Sequence, residues 1–245
     1  MRNLKMTLAY DGTLFHGWQV QPDQITVQGT VQSVLTEIDG PPVLVHGSGR
    51  TDAGVHALGQ VVSFNLNNPI PAENLSRAMN HVLPDSIRVL HAAEAAPDFH
   101  ARRSAVAKTY EYRIWRGEIC APFLSRYVYP HPYPLNEDSM KQAAPLFAGT
   151  HDFCSLGAAG GEEKQTTVRT IYSSQLQRDG DCLVYRVRGT GFLYRMVRNI
   201  VGTLLDVGRG NLKPEDVGQI LKSKQRSEAG PTAPPRGLFL VEVEY

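Results

Sequence analysis

The feature that most constrains the fold is an order of hydrophobic periods that reads βαββαβ and then reads so a second time. In the first half, residues 4–10 alternate as a strand closed by Asp11 and Gly12. Residues 27–38 place Val27, Val31, Val34, Leu35 and Ile38 at helical spacing. Residues 43–45 and 61–66 read as strands, and 72–83 as a helix with Pro71 at its start and Leu75, Met79, Val82 and Leu83 apolar. A strand at 87–90 closes the unit. The second half begins with an alternating strand at 109–115 and a helix at 136–147, kinked near its end by Pro145. Strands at 168–176 and 182–187 flank Arg178-Asp179-Gly180-Asp181, a hairpin signal. A long helix at 192–207 stops at Gly208-Arg209-Gly210, a shorter one starts at Pro214-Glu215-Asp216, and 237–245 alternates as the last strand. This predicts an α+β fold of two similar ferredoxin-like halves, 1–100 and 101–245, joined near 97–104, with their sheets meeting at a central cleft.

A chain of 245 residues can bury a substantial core without staples. Lys+Arg 25 against Asp+Glu 24 leaves a formal charge of +1, so no global field draws it to nucleic acid or membrane, and any RNA contact must be a local patch. Cys120, Cys154 and Cys182 are widely spaced with no C-x-x-C pair, which points to neither a disulfide framework nor a zinc site and fits a reducing cytosol. The eight histidines show no ligand spacing, so no catalytic metal is expected. The N-terminus lacks the apolar run of a signal peptide and no segment approaches a membrane span, so the expectation is a soluble, cytoplasmic protein.

The chemistry concentrates in Gly49-Arg50-Thr51-Asp52-Ala53-Gly54-Val55-His56-Ala57. It sets one acid among glycines that permit φ > 0 and close approach of a ligand. Arg50 and the Thr51 hydroxyl are placed to hold the Asp52 carboxylate ionised and aimed, as a nucleophile or base requires. An ordinary Asp-Gly turn is the bland alternative. Two phosphate-binding readings fail on their own requirements. Gly47-Ser48-Gly49-Arg50-Thr51-Asp52 puts an aspartate where a dinucleotide loop needs its third glycine, and a Walker loop needs Gly-Lys-Ser/Thr at the mouth of a helix, whereas here a strand follows.

The run G-R-T-D-A-G-V-H-A resembles the signature of the TruA family of tRNA pseudouridine synthases, the enzymes of tRNA positions 38 to 40. Four further stretches, in the same order, extend the resemblance over nearly the whole chain. They are Tyr10-Asp11-Gly12-Thr13-Leu14-Phe15-His16-Gly17-Trp18-Gln19 with Thr26-Val27-Gln28; Phe99-His100-Ala101-Arg102 with Lys108-Thr109-Tyr110-Glu111-Tyr112; Gly149-Thr150-His151-Asp152-Phe153 with Arg169-Thr170-Ile171; and the run from Gly191 to Gly202. The resemblance implies an isomerase that needs no cofactor, acts on tRNA and forms a homodimer. It makes Asp52 the nucleophile, Tyr110 the active-site tyrosine that stacks on an extruded base and handles a proton, and Arg198 the arginine that pairs with the catalytic acid. Tyr112 keeps a structural reading, and Arg195, three residues before Arg198 on the expected helix face, is left to phosphate or solvent.

Arg50, which also counts among the substrate-binding candidates, begins the candidate RNA surface with Arg102, Arg103, Lys108, Arg113, Arg116, Arg186 and Arg188; Lys222, Lys224 and Arg226 form a second cluster. Such contacts fix register on phosphates without reading sequence. Residues 157–163 have no packing face and read as a mobile loop, and residues 227–236 read as an irregular crossing before the last strand; either can serve as a lid or as mere connection. Two other classes compete. A non-catalytic RNA-binding module needs no acid in a glycine-rich loop, and an aspartate-dependent hydrolase wants a second carboxylate or a metal.

Overall fold

The computed structural model describes residues 1–158 and 166–245. The described chain holds ten strands and five α-helices, and it divides into two units: Met1–Val106 with Phe239–Tyr245, and Ala107–Leu238.

In the first unit, β1 (Arg2–Tyr10) runs antiparallel to β3 (His56–Leu66) on one side and β4 (Ile87–Glu94) on the other. Every second side chain of β1, Leu4, Met6, Leu8 and Tyr10, is buried, as a one-sided sheet demands. The cover comes from the buried stripes of α1 (Val27–Asp39: Val27, Val31, Val34, Leu35) and α2 (Ala72–Val82: Leu75, Met79). Thr26 caps α1 by accepting from the Gly29 N–H. β2 (His46–Gly47) pairs antiparallel with Val62 and Ser63 of β3, and β10 (Leu238–Glu244) lies parallel to the start of β3, Phe239 opposite His56.

Three expectations for this unit need correction. Residues 43–45 form no strand, because side chains of α1 take their backbone groups: Thr36 Oγ1 accepts from Val43 N–H, Gln32 Oε1 from Val45 N–H, and Gln28 Nε2 donates to Val45 O. The ladder falls instead on the polar pair His46-Gly47. β3 starts five residues earlier than its apolar run suggests, since its first turn of ladder is supplied by β1 and β10. The boundary at residue 100 also moves. Ala101 N–H donates to Ser63 Oγ, Tyr245 Oη to Ala101 O and Val106 N–H to Glu244 O, so the segment after 100 and the final strand both belong to the first unit.

The second unit is an antiparallel sheet in the order β5 (Ala107–Trp115), β9 (Cys182–Gly189), β8 (Val168–Asp179), β7 (Gly149–Asp152), with β6 (Tyr129–Pro130) parallel to β5. One face carries Tyr110, Tyr112, Ile114, Leu183, Tyr185, Val187 and Leu176, all buried. The 3-10 turn Ala144–Phe147 lies over this face, since Ser174 Oγ donates to Ala144 O. The kink expected at Pro145 is where α3 (Glu137–Ala143) gives way to that turn. α4 (Met196–Arg209) and α5 (Asp216–Ser223) complete the unit. α4 begins four residues later than its apolar pattern suggests: Arg195 is left-handed at φ 60°, and the Phe192 ring sits edge-on to Tyr110 at 5.0 Å rather than on the helix. Arg195 therefore does not share a helix face with Arg198; it is exposed and stacks on Tyr194.

Residues 227–236, read from the sequence as an irregular crossing, are strapped to α4. Gly230 N–H donates to Thr203 Oγ1, and Asn199 Oδ1 accepts from Thr232 Oγ1 and from Arg226 Nη2. Gly202 makes this possible: a Cβ there would stand 1.6 Å from Pro231 O. Of the other expected loop, residues 159–163 lie outside the described residues.

Candidate active site

The loop bearing Asp52 connects β2 to β3 and is fixed almost residue by residue. Ser48 N–H donates to Val61 O, and Ser48 Oγ to Gln60 Oε1 at 2.6 Å. Gln60 Nε2 donates to Gly49 O at 2.9 Å. Thr51 O accepts from Trp18 N–H at 3.0 Å, and Thr51 Oγ1 lies 2.8 Å from Tyr10 Oη. Asp52 O accepts from Val55 N–H at 3.1 Å, closing a turn in which Gly54 has φ 76°. Ser48, Gln60, Thr51 and Tyr10 are buried, so water does not compete for these bonds, whereas Asp52 is half-buried. Burial pushes the Tyr10 phenol up to about 12 against the opposing hydrogen bonds of Thr51 and Gln60, which keeps its hydroxyl neutral.

The Thr51 hydroxyl thus points inward to Tyr10. Arg50 is exposed, with its Nε donating to Gln19 Oε1 at 3.2 Å. His56, the histidine of the same run, is buried, accepts from Gly12 N–H at Nδ1 and stacks on Phe239 at 4.8 Å, a structural role. Tyr10, Trp18 and Gln60 are the residues that motif reasoning on Asp52 missed. Tyr10 and Trp18 stand in one of the other resembling stretches, but no spacing rule links them to residue 51.

In the second unit Tyr110 is buried on β5 opposite Val187. Tyr112, two residues on, donates from Oη to Pro234 O at 2.8 Å, and burial pushes its phenol far up, with the charges of Arg198 and Arg236 acting against that shift. This is the structural part expected of it. Arg198 stands in the first turn of α4, where its Nε donates to Ala233 O at 2.7 Å while Ala233 N–H donates to Arg198 O.

Among the basic candidates, Arg102 and Arg103 are exposed beside His100, whose ring lies 4.7 Å from that of His46. Burial pushes the His100 imidazole down, and His46 and Arg103 push it further. Lys108 is half-buried opposite Gly189. Arg113 pairs with Glu111, Arg188 stacks on Tyr172, and Arg186 and Lys222 are exposed. Three candidates are drawn elsewhere. Arg116 is turned inward to Glu137 and to the His131 and Tyr133 carbonyls, Arg226 holds the strap, and Lys224 pairs with Asp152 at 2.9 Å. Among the described residues no cluster of His, Cys, Asp and Glu could hold a metal ion, and no helix is long and apolar enough to cross a membrane. The three cysteines are free.

The profile of the family described as tRNA pseudouridine synthase matches residues 6–102 and 143–245. The tRNA pseudouridine synthase A of Solibacter usitatus is 54% identical over 247 residues, covering 100% of both chains. Its counterpart from Caldicellulosiruptor bescii is 45% identical over 245 residues, again 100% of both, and that from Anoxybacillus flavithermus 48% over 246 residues, 100% of this chain and 99% of the relative. The matches define a class, isomerases that turn uridine into pseudouridine within tRNA. The chain belongs to the tRNA pseudouridine synthase family.

Proposed function

We propose that this protein isomerises uridine to pseudouridine at positions 38, 39 and 40 of the tRNA anticodon stem-loop, with Asp52 as nucleophile. The observation that carries the assignment is the Asp52 loop itself: bonds at residues 48, 49, 51 and 52 fix its backbone, while the carboxylate-bearing residue keeps access to solvent. The target nucleotide leaves its stack. The carboxylate attacks the uracil ring or the ribose carbon, the N1–C1′ bond breaks and the base turns. C5 then bonds to C1′, the bond to the Asp52 carboxylate breaks and frees the enzyme, and C5 gives up its proton while N1 gains one. Product and substrate are isomers, so the reaction consumes no co-reactant.

Tyr110 offers a ring for the extruded base and a hydroxyl for proton transfer, and Arg198 the positive charge that the resemblance assigns to it. Arg50 binds substrate, and Arg102, Arg103 and Lys108 meet tRNA phosphates. We read both halves as ferredoxin-like. The β4-β1-β3 order with β2 on β3 supports this in the first, and the β5-β9-β8 order in the second. The protein acts in the cytoplasm as a homodimer. Light scattering that found an active 27.0 kDa monomer would remove the dimer.

The central test is Asp52→Asn with enzyme in excess over tRNA. Tritium release from C5-labelled uridine is expected to vanish, because no other nucleophile replaces the carboxylate, while unmodified tRNA still binds. Appreciable release would remove Asp52 from the chemistry.

A further inference from the structure

We propose that Tyr10, acting through the Thr51 hydroxyl, is a positioning residue that holds Asp52 in its reactive place; this rests on the assignment of Asp52 as nucleophile. Tyr10 ends β1, the strand paired with β3 on one side and β4 on the other, so its ring is anchored to a strand held from both sides. The ring is buried and stacks near Trp18, with centroids 6.2 Å apart. Packing alone would be served equally by phenylalanine. A phenol hydroxyl out of water costs stability unless it is bonded, and its partners here are Thr51 and Gln60.

Both partners belong to the support of the loop. Gln60 reaches back from β3 to Ser48 Oγ and Gly49 O, and Thr51 Oγ1 meets Tyr10 at 2.8 Å one residue before the nucleophile. Trp18, the ring beside Tyr10, gives its N–H to Thr51 O. The chain from Tyr10 through Thr51 is thus tied at both the side-chain and backbone oxygens of residue 51, immediately before Asp52. A network whose members are all satisfied and dry allows little drift. A rack of this kind converts the stiffness of β1 into a fixed position for one carboxylate, and misplacement of a reacting group by about 1 Å can cost about a hundredfold in rate.

The test compares Tyr10→Phe, Thr51→Val, Thr51→Ser and the double variant Tyr10→Phe/Thr51→Val, in single-turnover pseudouridine formation and in tRNA binding. Each of Tyr10→Phe and Thr51→Val is expected to slow turnover about ten- to a hundredfold, with tRNA affinity within about twofold of wild type. Thr51→Ser, which keeps the hydroxyl, should stay close to wild type. The double variant should be no slower than the slower single, because both singles break the same bond. A role confined to stability would leave the rate per folded molecule unchanged. Wild-type rates in Tyr10→Phe or Thr51→Val, equal losses in Thr51→Ser and Thr51→Val, or additive losses in the double variant would overturn the proposal. If Tyr10→Phe does not fold at the assay temperature, the comparison of Thr51→Val with Thr51→Ser decides alone. Product from Asp52→Asn would instead defeat the nucleophile assignment. A silent Asp52→Asn beside fast Tyr10→Phe and Thr51→Val would defeat only the positioning role.

Discussion

Gly17→Ala measures how tightly the approach of the 17–18 segment fixes the loop that carries Asp52. Gly17 has φ +86°, and a Cβ on it would stand 2.7 Å from Thr51 O, with Asp52 C and Ala53 N at 3.2 Å. Ordinary contact begins at 3.4 Å, so the Thr51 carbonyl must retreat by 3.4 − 2.7 = 0.7 Å and loosen its 3.0 Å bond to Trp18 N–H. The left-handed backbone adds about 1 to 2 kcal/mol of strain for any side chain, worth roughly 2 to 8 °C in Tm for a chain of this size. Gly40 supplies the control: its φ is +92°, but a Cβ there meets nothing within 4 Å. Both alanine variants should lose stability by calorimetry through backbone strain, Gly17→Ala the more because it also displaces the Thr51 carbonyl. Only Gly17→Ala should slow single-turnover tritium release, by about ten- to a hundredfold for a displacement approaching 1 Å. Equal turnover in the two variants would refute the argument that this contact sets the position of Asp52.

Three further outcomes are expected. Gly202→Ala pushes the 227–236 strap off α4, because its Cβ would fall 1.6 Å from Pro231 O; a loss of about 3 kcal/mol in urea unfolding is expected, and an unchanged midpoint would contradict the packing. His131 is buried, with Nδ1 3.2 Å from Arg116 and Nε2 3.1 Å from Arg209, and burial followed by those two charges pushes its imidazole below the usual range. The unfolded chain then takes up a proton near pH 6.5 that the folded one refuses, so stability should fall as pH drops below about 6.5; His131→Gln should flatten that slope in thermal melts, and an unaltered slope would exclude His131 as its source. Arg102→Ala with Arg103→Ala should weaken tRNA binding and make the logarithmic salt slope shallower by about 2, and filter binding that found the wild-type slope would take both residues off the phosphates.

The local periodicities determined the order of the elements and most of their spans. An amphipathic stripe such as Val27, Val31, Val34 and Leu35, or the alternation of 109–115, shows which side of an element must leave water whatever it packs against. The acid of the site was legible for a related reason: the glycines, the arginine and the acid of residues 49–54 are contiguous, so their chemistry is a property of one loop. Tertiary structure decided what depended on partners distant in the chain. Residues 43–45 have the composition of a strand, yet α1 side chains claim their backbone donors before any strand can. Arg116 and Arg226 carry the same charge as Arg102, but Glu137 and Asn199 turn them away from solvent. The final strand follows the second half in sequence and pairs with His56 and Ala57 of the first. The support beneath Asp52 joins residues 10, 18 and 60 to residues 48, 49 and 51, contacts made only when strands far apart in sequence come into register. A hydroxyl or amide carries no periodic signal of its partner, because hydrogen bonds depend on distance and angle in space.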